Sequence, residues 1–344
     1  MKYPTQEDVA RRVGVSRATV SYVLSGRDSG PISVTGETRQ RILQAAEEVG
    51  YVPDASAQSL RRGATNMIGF TLPDMNNPHM WQIVRGADQT ARAAGYDLLL
   101  ISTAHDFKLE KSALLELSRR RIDGLVLAQT HVEQLDADIR SLARQQRPLV
   151  ILGDYDDQIS DLDTVNPGHR EGAVQLVTHL IQNGHSRIGF IFGVARKPLG
   201  NERLVSYQQT LAQAGIPPDP QLVINCGITI DDGYQAALRL LECQPRPTAI
   251  IVINDLLAIG VLRAITDVGL KVPEDISVAG FDDIDMASFL TPALTTVRVF
   301  GDDIGKTAVS LILERLKDPD RSAQHIQLPA QLILRASTGP ARAC

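Results

Sequence analysis

The sequence of 344 residues is poor in aromatic residues and in cysteine. Phenylalanine, tyrosine and tryptophan together make up 4% of it, with a single tryptophan. The three cysteines, Cys226, Cys243 and Cys344, have neither metal-ligand nor redox spacing, which fits a reducing compartment. No apolar run approaches the roughly 18 residues of a membrane span, and no apolar segment follows residues 1–8 as in a signal peptide. We therefore expect a soluble, cytoplasmic protein.

A strong charge of one sign is also missing. The formal net charge is −5 and the isoelectric point is about 5.8, so the whole-chain charge does not indicate a nucleic-acid binder. Residues 1–65 carry nine Lys and Arg against seven Asp and Glu, a net +2 that leaves −7 for the remainder. The composition is 43% hydrophobic and rich in aliphatic residues, which is typical of α/β proteins with buried parallel strands. The length allows two or three domains.

Two short helices are predicted near the N-terminus, joined by a turn at Gly14. Thr5 and Asp8 can cap the first helix, Gly14 can end it, and Ser16 can cap the second. This spacing is typical of a helix-turn-helix, although an ordinary corner between two helices has the same pattern. A third helix is predicted over residues 38–49, after a polar loop at residues 26–33.

The second helix has two kinds of side chain. Four apolar residues can face a core, namely Val15, Val20, Val23 and Leu24. Six others remain for an external partner, namely Ser16, Arg17, Ala18, Thr19, Ser21 and Tyr22. Hydroxyls and an arginine at the start of a helix suit the groove and phosphates of DNA.

Residues 53–65 can form about two turns of helix, which is marginal for an isolated peptide in water. Leu60 lies there beside Arg61 and Arg62. An apolar side chain next to arginines matches a wedge inserted between base steps in a minor groove. A plain linker would have the same composition.

From residue 66 onward, strands and helices alternate and the pattern restarts once. Residues 187–192 echo residues 67–70, so we expect two lobes with doubly wound parallel sheets and a cleft between them. We assign lobe one to residues 66–163 and 294–326, and lobe two to residues 164–293 and 327–344. Ligands of such sheets bind beyond the carboxyl ends of the strands.

Polar side chains follow several of these predicted strands. They are Asp74, Asn76, Asn77, Asp154, Arg203, Asn254, Asp255, Asp282 and Asp283. Carboxylates, amides and one arginine can hold a polyhydroxyl ligand through hydrogen bonds. Each residue taken alone could instead be a helix cap or a solvated turn. His79 and His169 could also line the cleft, or be ordinary core or surface histidines.

The motifs of the first 65 residues, taken in order, resemble the LacI/GalR family of bacterial transcription repressors. They are residues 5–10, 13–16, 19–21, 38–39, 50–53 and 57–60. The resemblance implies a headpiece over residues 1–52 and a hinge over residues 53–65. It implies that Arg17, Ala18 and Tyr22 contact bases, and that Ser16, Thr19 and Ser21 contact phosphates. It also makes Leu60 a minor-groove wedge and Arg61 its basic neighbour. The loop at residues 26–33 is longer than usual, and Ala18 can offer only a methyl contact.

Motifs at residues 203–204, 248–250, 254–255, 272–278, 280–283 and 290–297 resemble the effector domain of the same family, which is similar to periplasmic sugar-binding proteins. The implied fold is an all-α helix-turn-helix headpiece plus a two-lobed α/β effector domain over residues 66–344. The implied effector contacts are Asn77, His79, Trp81, Asp154, Arg203, Asn254 and Asp282. His79 and Met80 stand where many relatives have aromatic residues, so Trp81 or Tyr155 could supply the stacking surface.

No enzyme motif is present: the sequence has no HExxH, no GxSxG and no Gly-rich phosphate loop after residue 70. We expect no catalytic residues, metal or cofactor. The predicted function is a homodimeric repressor of carbohydrate-utilisation genes that binds a pseudo-palindromic DNA operator and responds to a small effector, such as a sugar. Two alternatives are a solute-binding receptor and an NAD-dependent enzyme with a helical appendage.

Overall fold

The computed structural model describes residues 4–24, 34–51, 65–120, 122–128, 132–144, 147–153, 161–193 and 202–342. The chain divides into two compact units, Met1–Asn66 and Met67–Cys344. Each is described by itself. Among the described residues, no helix is both long and apolar enough to cross a membrane.

The described part of the smaller unit contains helices α1 (Gln6–Val13), α2 (Arg17–Leu24) and α3 (Gly36–Glu48). Their apolar faces meet in one small core, in which Val9, Val20 and Ile42 are fully buried. Burial of these side chains stabilises helices that are too short to persist alone. The predicted helix-turn-helix is therefore confirmed.

The caps of these helices follow the sequence signals. Thr5 and Asp8 form a capping box at the start of α1, and Gly14 ends it in the left-handed region at φ 79°. The helix α3 starts at Gly36, two residues before the predicted position. The cause is Thr35, whose side-chain oxygen accepts a hydrogen bond from Thr38 N at 3.3 Å.

The larger unit alternates strands and helices. Its helices are α4 (Pro78–Ala93), α5 (Phe107–Arg119), α6 (Val132–Ala143), α7 (His169–Gln182), α8 (Glu202–Gln213), α9 (Ile230–Glu242), α10 (Asp255–Asp267) and α11 (Gly301–Lys317). Strands β1 to β6 are Met67–Leu72, Asp97–Ser102, Gly124–Ala128, Leu149–Leu152, Asp163–Asn166 and Ile188–Gly193. Strands β7 to β12 are Val223–Cys226, Ala249–Val252, Ser277–Asp282, Thr295–Val299, His325–Gln327 and Ala330–Ile333. Short 3₁₀ turns span Pro220–Leu222 and Asp285–Ser288.

These strands form two six-stranded sheets, in the orders β2-β1-β3-β4-β5-β11 and β7-β6-β8-β9-β10-β12. All pairs are parallel except β10 with β12, where Thr296 faces Ile333. Strands β1, β3, β4, β8 and β9 are buried along nearly their whole length, as expected of a sheet with helices on both faces. The predicted doubly wound, two-lobed fold is confirmed.

The crossings between the lobes differ from the predicted positions. Strand β5 pairs with β4, so lobe one extends to Asn166 instead of ending at residue 163. Strand β10 pairs with β9 in the sheet of lobe two, so the assignment of residues 294–299 to lobe one is wrong. The return of residues 325–326 to lobe one is as expected, with His325 opposite Thr164, and β11 continues one residue further, to Gln327. An apolar pattern marks a strand but does not say which sheet edge the strand joins.

Polar side chains fix β10 in lobe two. The Thr296 hydroxyl donates to Asp255 Oδ1 at 2.6 Å, and the Thr295 amide donates to Ser337 Oγ at 2.8 Å. All four residues are fully buried. Buried polar groups need such partners, so these bonds specify the position of the strand.

Candidate DNA-reading helix and effector cleft

Helix α2 presents its first turn to solvent. Ser16, Arg17 and Ala18 are exposed, and Thr19 and Ser21 are half-buried. Ser16 caps the helix, because its Oγ accepts a hydrogen bond from Thr19 N at 3.1 Å. The guanidinium of Arg17 has no hydrogen-bond or ion-pair partner among the described residues. An exposed guanidinium in the first turn of a helix is a favourable partner for phosphate and for base acceptors.

Tyr22 differs from the expectation of a purely outward side chain. It is half-buried, and it packs against the core formed by residues such as Val20 and Val23. Tyrosine has an apolar body and a polar tip, and in Tyr22 the apolar body packs on this core. The ring therefore helps to fix the helix, whereas Arg17 does not.

Several predicted site residues lie outside the described residues. They are Leu60 and Arg61 of the hinge, the loop at residues 26–33, and Asp154 and Tyr155. Their roles stay predictions.

The cleft of the larger unit contains a direct contact between the two lobes. Asn77, at the start of α4 in lobe one, donates from Nδ2 to Asp282 Oδ2 of lobe two at 3.0 Å. The other side-chain atom of Asn77, Oδ1, accepts from His79 N at 2.9 Å and caps α4. Both Asn77 and Asp282 are buried. Asn77 therefore both caps a helix and lies in the cleft, the two roles that the sequence left as alternatives.

Asp282 lies at the end of β9 with φ 100°, and Asp283 follows with φ 54°. Both values are in a region that residues other than glycine seldom occupy, so the surrounding contacts must hold the turn. Asp283 supplies them: its carboxylate accepts from Arg298 Nε at 2.7 Å and from Arg335 Nη2 at 2.5 Å. The two neighbouring aspartates therefore have different tasks, since one anchors the turn and the other reaches lobe one.

Arg203 on α8 is the cation of the cleft. Its Nη2 donates to His169 Nε2 at 2.5 Å, and its Cζ lies 5.2 Å from the centre of the Phe281 ring. Its Nε is buried and has no hydrogen-bond partner in the described part of the chain. Burial lowers the pKa of Arg203, and the charge of Asp282 opposes that effect. A buried donor without a partner is costly, which makes this nitrogen a natural contact for a ligand oxygen.

His169 is a cleft residue that was not among the predicted effector contacts. Burial, and then the charges of Arg203 and His79, lower its pKa well below the usual value. A guanidinium can only donate, so Nε2 of His169 is the acceptor and the imidazole is neutral. Its position just after β5, at the start of α7, agrees with the expectation that His169 could line the cleft.

The remaining predicted contacts are divided. His79 is buried, and its Nδ1 lies 3.3 Å from Gln82 Oε1. Asn254 caps α10, accepting from Leu257 N at 2.9 Å. Trp81 is 42% exposed, and its indole donates to Met75 O at 3.0 Å, so this contact holds it on the loop before α4. Phe281, next to Asp282, is fully buried in the core, where its ring lies beneath the guanidinium of Arg203.

Comparisons with known proteins agree with this geometry. Residues 5–54 match the model of bacterial regulatory proteins of the lacI family, and residues 177–338 match a periplasmic binding protein-like domain. The HTH-type transcriptional repressor CytR of Escherichia coli (strain K12) is 34% identical over 97% of this chain and 96% of its own.

Two solved structures are similar over nearly the whole chain. The Lac repressor dimer bound to operator and the anti-inducer ONPF has a TM-score of 0.84 at 28% identity, covering 98% of this chain and 100% of that one. The complex of the transcriptional regulator CelR with cellobiose has a TM-score of 0.72 at 28% identity, covering 97% and 99%.

A helix-turn-helix unit followed along the chain by a two-lobed α/β unit is the architecture of a DNA-binding transcriptional regulator. The chain belongs to the lacI family of bacterial regulatory proteins. Its relatives are transcriptional repressors.

Proposed function

We propose that the protein is an operator-specific repressor whose DNA affinity is set by a small polyhydroxyl effector of the carbohydrate class, bound between the two lobes. It acts in the bacterial cytoplasm as a homodimer on genes of carbohydrate utilisation. The observation that carries this proposal is the hydrogen bond from Asn77 to Asp282 across the cleft, beside the unpaired Nε of Arg203.

A neutral ligand with several hydroxyls suits this set of groups. Asp282 can accept from two adjacent hydroxyls, and Arg203 can donate to a hydroxyl oxygen. The relative bound to cellobiose and the Lac repressor dimer bound to operator support the same class of ligand and the same assembly.

The switch is a linkage between two equilibria. An effector that replaces the contact of Asn77 with Asp282 changes the relative population of lobe arrangements. Operator affinity then changes by the difference in effector affinity between those arrangements. A thermal-shift screen of sugars, sugar phosphates and purines, followed by operator retention at moderate salt, tests the proposal. Turnover of a nicotinamide cofactor, or no retention on any operator, would contradict it.

Substitution of Arg17 by alanine should relax discrimination at one base pair of each half-site by about 1–3 kcal/mol. The reason is that its exposed guanidinium has no partner in the described part of the chain and can donate two bonds to a guanine. Binding to an operator library with each position varied measures this. Arg11→Ala on α1 is the matched control, because Arg11 is also exposed but lies on another helix. An unchanged base preference would remove Arg17 from the base-reading set.

Substitution of Asp282 by asparagine should weaken effector binding about tenfold or more, because a charged acceptor of ligand hydroxyls becomes a neutral amide. Operator affinity without effector should stay within a few-fold of the wild type. Isothermal titration with the effector and operator binding with and without it separate the two properties. Asp267→Asn, an exposed aspartate of α10, is the control. A normal response of Asp282→Asn would show that the effector binds elsewhere.

A further inference from the structure

We propose that lobe one carries a second ligand site, an arginine-lined cavity that takes a small organic phosphate. The cavity has a volume of about 540 Å³ and is formed by the end of α6, the start of β4, the entry to β5 and the end of α11. These are the amino ends of β4 and β5, whereas the cleft lies beyond the carboxyl ends of the strands. The cavity therefore occupies the opposite edge of the sheet and is separate from the effector site.

The lining contains four arginines, Arg140, Arg144, Arg147 and Arg315, and three aspartates, Asp161, Asp163 and Asp320, so it has a small net positive charge. Several of these charges are paired. Asp163 is paired with Arg315 and also with Arg321, both through two hydrogen bonds of 2.8–3.0 Å. One carboxylate thus faces two guanidinium groups, and the opposite arrangement at Arg140, which faces two carboxylates, offsets that excess. Arg140 is occupied by Asp136 and Asp161.

Two arginines are available for a ligand. Arg147 donates from Nη1 to the carbonyls of Leu117 and Arg120, at 3.0 and 2.9 Å, which fixes its guanidinium at the end of α5. Arg144 is exposed, directly follows α6, and has no side-chain hydrogen bond or ion pair with the described part of the chain. Arg144 and Arg147 both line the cavity, and two guanidinium groups can share the oxygens of a single phosphate.

The rest of the wall indicates an organic body on that phosphate. Ala143, Pro148, Leu316 and Pro319 line the cavity together with the arginines. A volume of this size is within the range of small-molecule sites, roughly 300–1,000 Å³. An inorganic ion would leave most of the apolar lining unfilled. A phosphate monoester with a compact apolar or ring-shaped body fits both halves of the lining.

The experiment uses phenyl phosphate and the full-length protein in isothermal titration calorimetry. We expect one binding event per chain. Arg144→Gln should weaken it about tenfold or more, because a charge-assisted bond to the phosphate is lost. Arg92→Gln is the matched control: Arg92 is an exposed arginine in the last turn of α4, in the same lobe, and should leave binding unchanged. Benzyl alcohol, which has the ring without the charge, should give no measurable heat.

Three outcomes would overturn the proposal. The first is no binding of phenyl phosphate, or equal losses in Arg144→Gln and Arg92→Gln. The second is loss of binding in Arg203→Gln with full binding in Arg144→Gln, which would place the anion in the cleft. The third is displacement of phenyl phosphate by a duplex without operator sequence, which would make the arginines a contact for the DNA backbone. None of these outcomes depends on the effector proposed above.

Discussion

Replacement of Phe289 by lysine should separate the proposed homodimer into monomers and lower operator affinity by about a hundredfold, because the two headpieces then bind independently. Phe289 follows the 3₁₀ turn Asp285–Ser288 of lobe two and is 86% exposed. Met286 in that turn is 44% exposed. Large aromatic side chains at the centre of an interface often contribute about 2 kcal/mol or more to association. A buried lysine there would add a desolvation cost.

The surroundings of Phe289 favour a covered surface over an isolated exposed ring. Across the lobes, Arg85 of α4 is close enough to Asp285 for that charge to help raise the pKa of Arg85, although its main partner is Asp302. Trp81, one helical turn before Arg85, and Met75 are also exposed. Contacts with a second copy would bury apolar groups of both lobes, so dimerisation would respond to the lobe arrangement.

Sedimentation equilibrium and operator binding at several protein concentrations measure the effect. Operator affinity of Phe289→Lys should recover at high protein concentration, because association is weakened but the headpiece is intact. Val174→Lys is the matched control. Val174 is an exposed apolar residue of α7, whose core residues Leu176 and Val177 pack in a different cluster from Ile284 and Ala287 beside Phe289. A Phe289→Lys protein that remains dimeric at nanomolar concentration would contradict the prediction.

The headpiece was predictable because its signals are local. Thr5, Gly14 and Ser16 each act on a helix end within four residues, and the structure places all three at caps or turns. The order of strands in the sheets required more. Strand β10 joins lobe two through the side chains of Asp255 and Ser337, which lie about 40 residues away in sequence. Pairing at that distance leaves no periodic pattern in the strand itself.

The cleft was predictable in part, because several of its residues directly follow strands in the sequence. Placement after strand ends identified Asn77, Arg203 and Asp282, which the structure brings to the cleft with His169. The same logic did not settle which residue supplies an aromatic face. Trp81 follows β1, where the strand-end rule expects a ligand contact, but its indole donates a hydrogen bond to Met75 O. The direction of a helical side chain depends on its position around the helix axis, which the strand-end rule does not give. The strand-end rule gives the edge of the sheet, not the direction of each side chain.

Replacement of Asp163 by asparagine should lower the free energy of unfolding of the larger unit by about 3 kcal/mol, because two guanidinium groups lose their buried counter-charge. The Asp163 side chain is 1% exposed and accepts four hydrogen bonds from Arg315 and Arg321, plus one from Gln324 N at 2.8 Å. Both arginines keep bonds to backbone carbonyls, such as Leu311 O and Arg321 O. Because those bonds remain in the variant, we expect a loss in the free energy of unfolding near the lower end of the range for a broken buried ion pair.

The pH dependence of this loss identifies its origin. Burial opposes ionisation of Asp163, but the hydrogen bonds from Arg315 and Arg321 outweigh it and lower the pKa. A carboxylate with a lowered pKa in the folded state stabilises above its unfolded pKa of about 3.9, and this stabilisation is lost as the pH falls through the folded value. The difference between wild type and Asp163→Asn should therefore be constant from about pH 7 to pH 5 and shrink below about pH 4.

The comparison with Asp302 makes the prediction specific to burial. Asp302 accepts from Arg85 Nε at 2.8 Å and from Arg85 Nη2 at 2.6 Å, the same two-bond geometry, but both side chains are about half exposed. Asp302→Asn should cost at most about 1 kcal/mol, because water screens the pair. Urea unfolding followed by the fluorescence of the single tryptophan, Trp81 in lobe one, measures both variants. Equal losses in the two variants would show that geometry, and not burial, sets the contribution of Asp163.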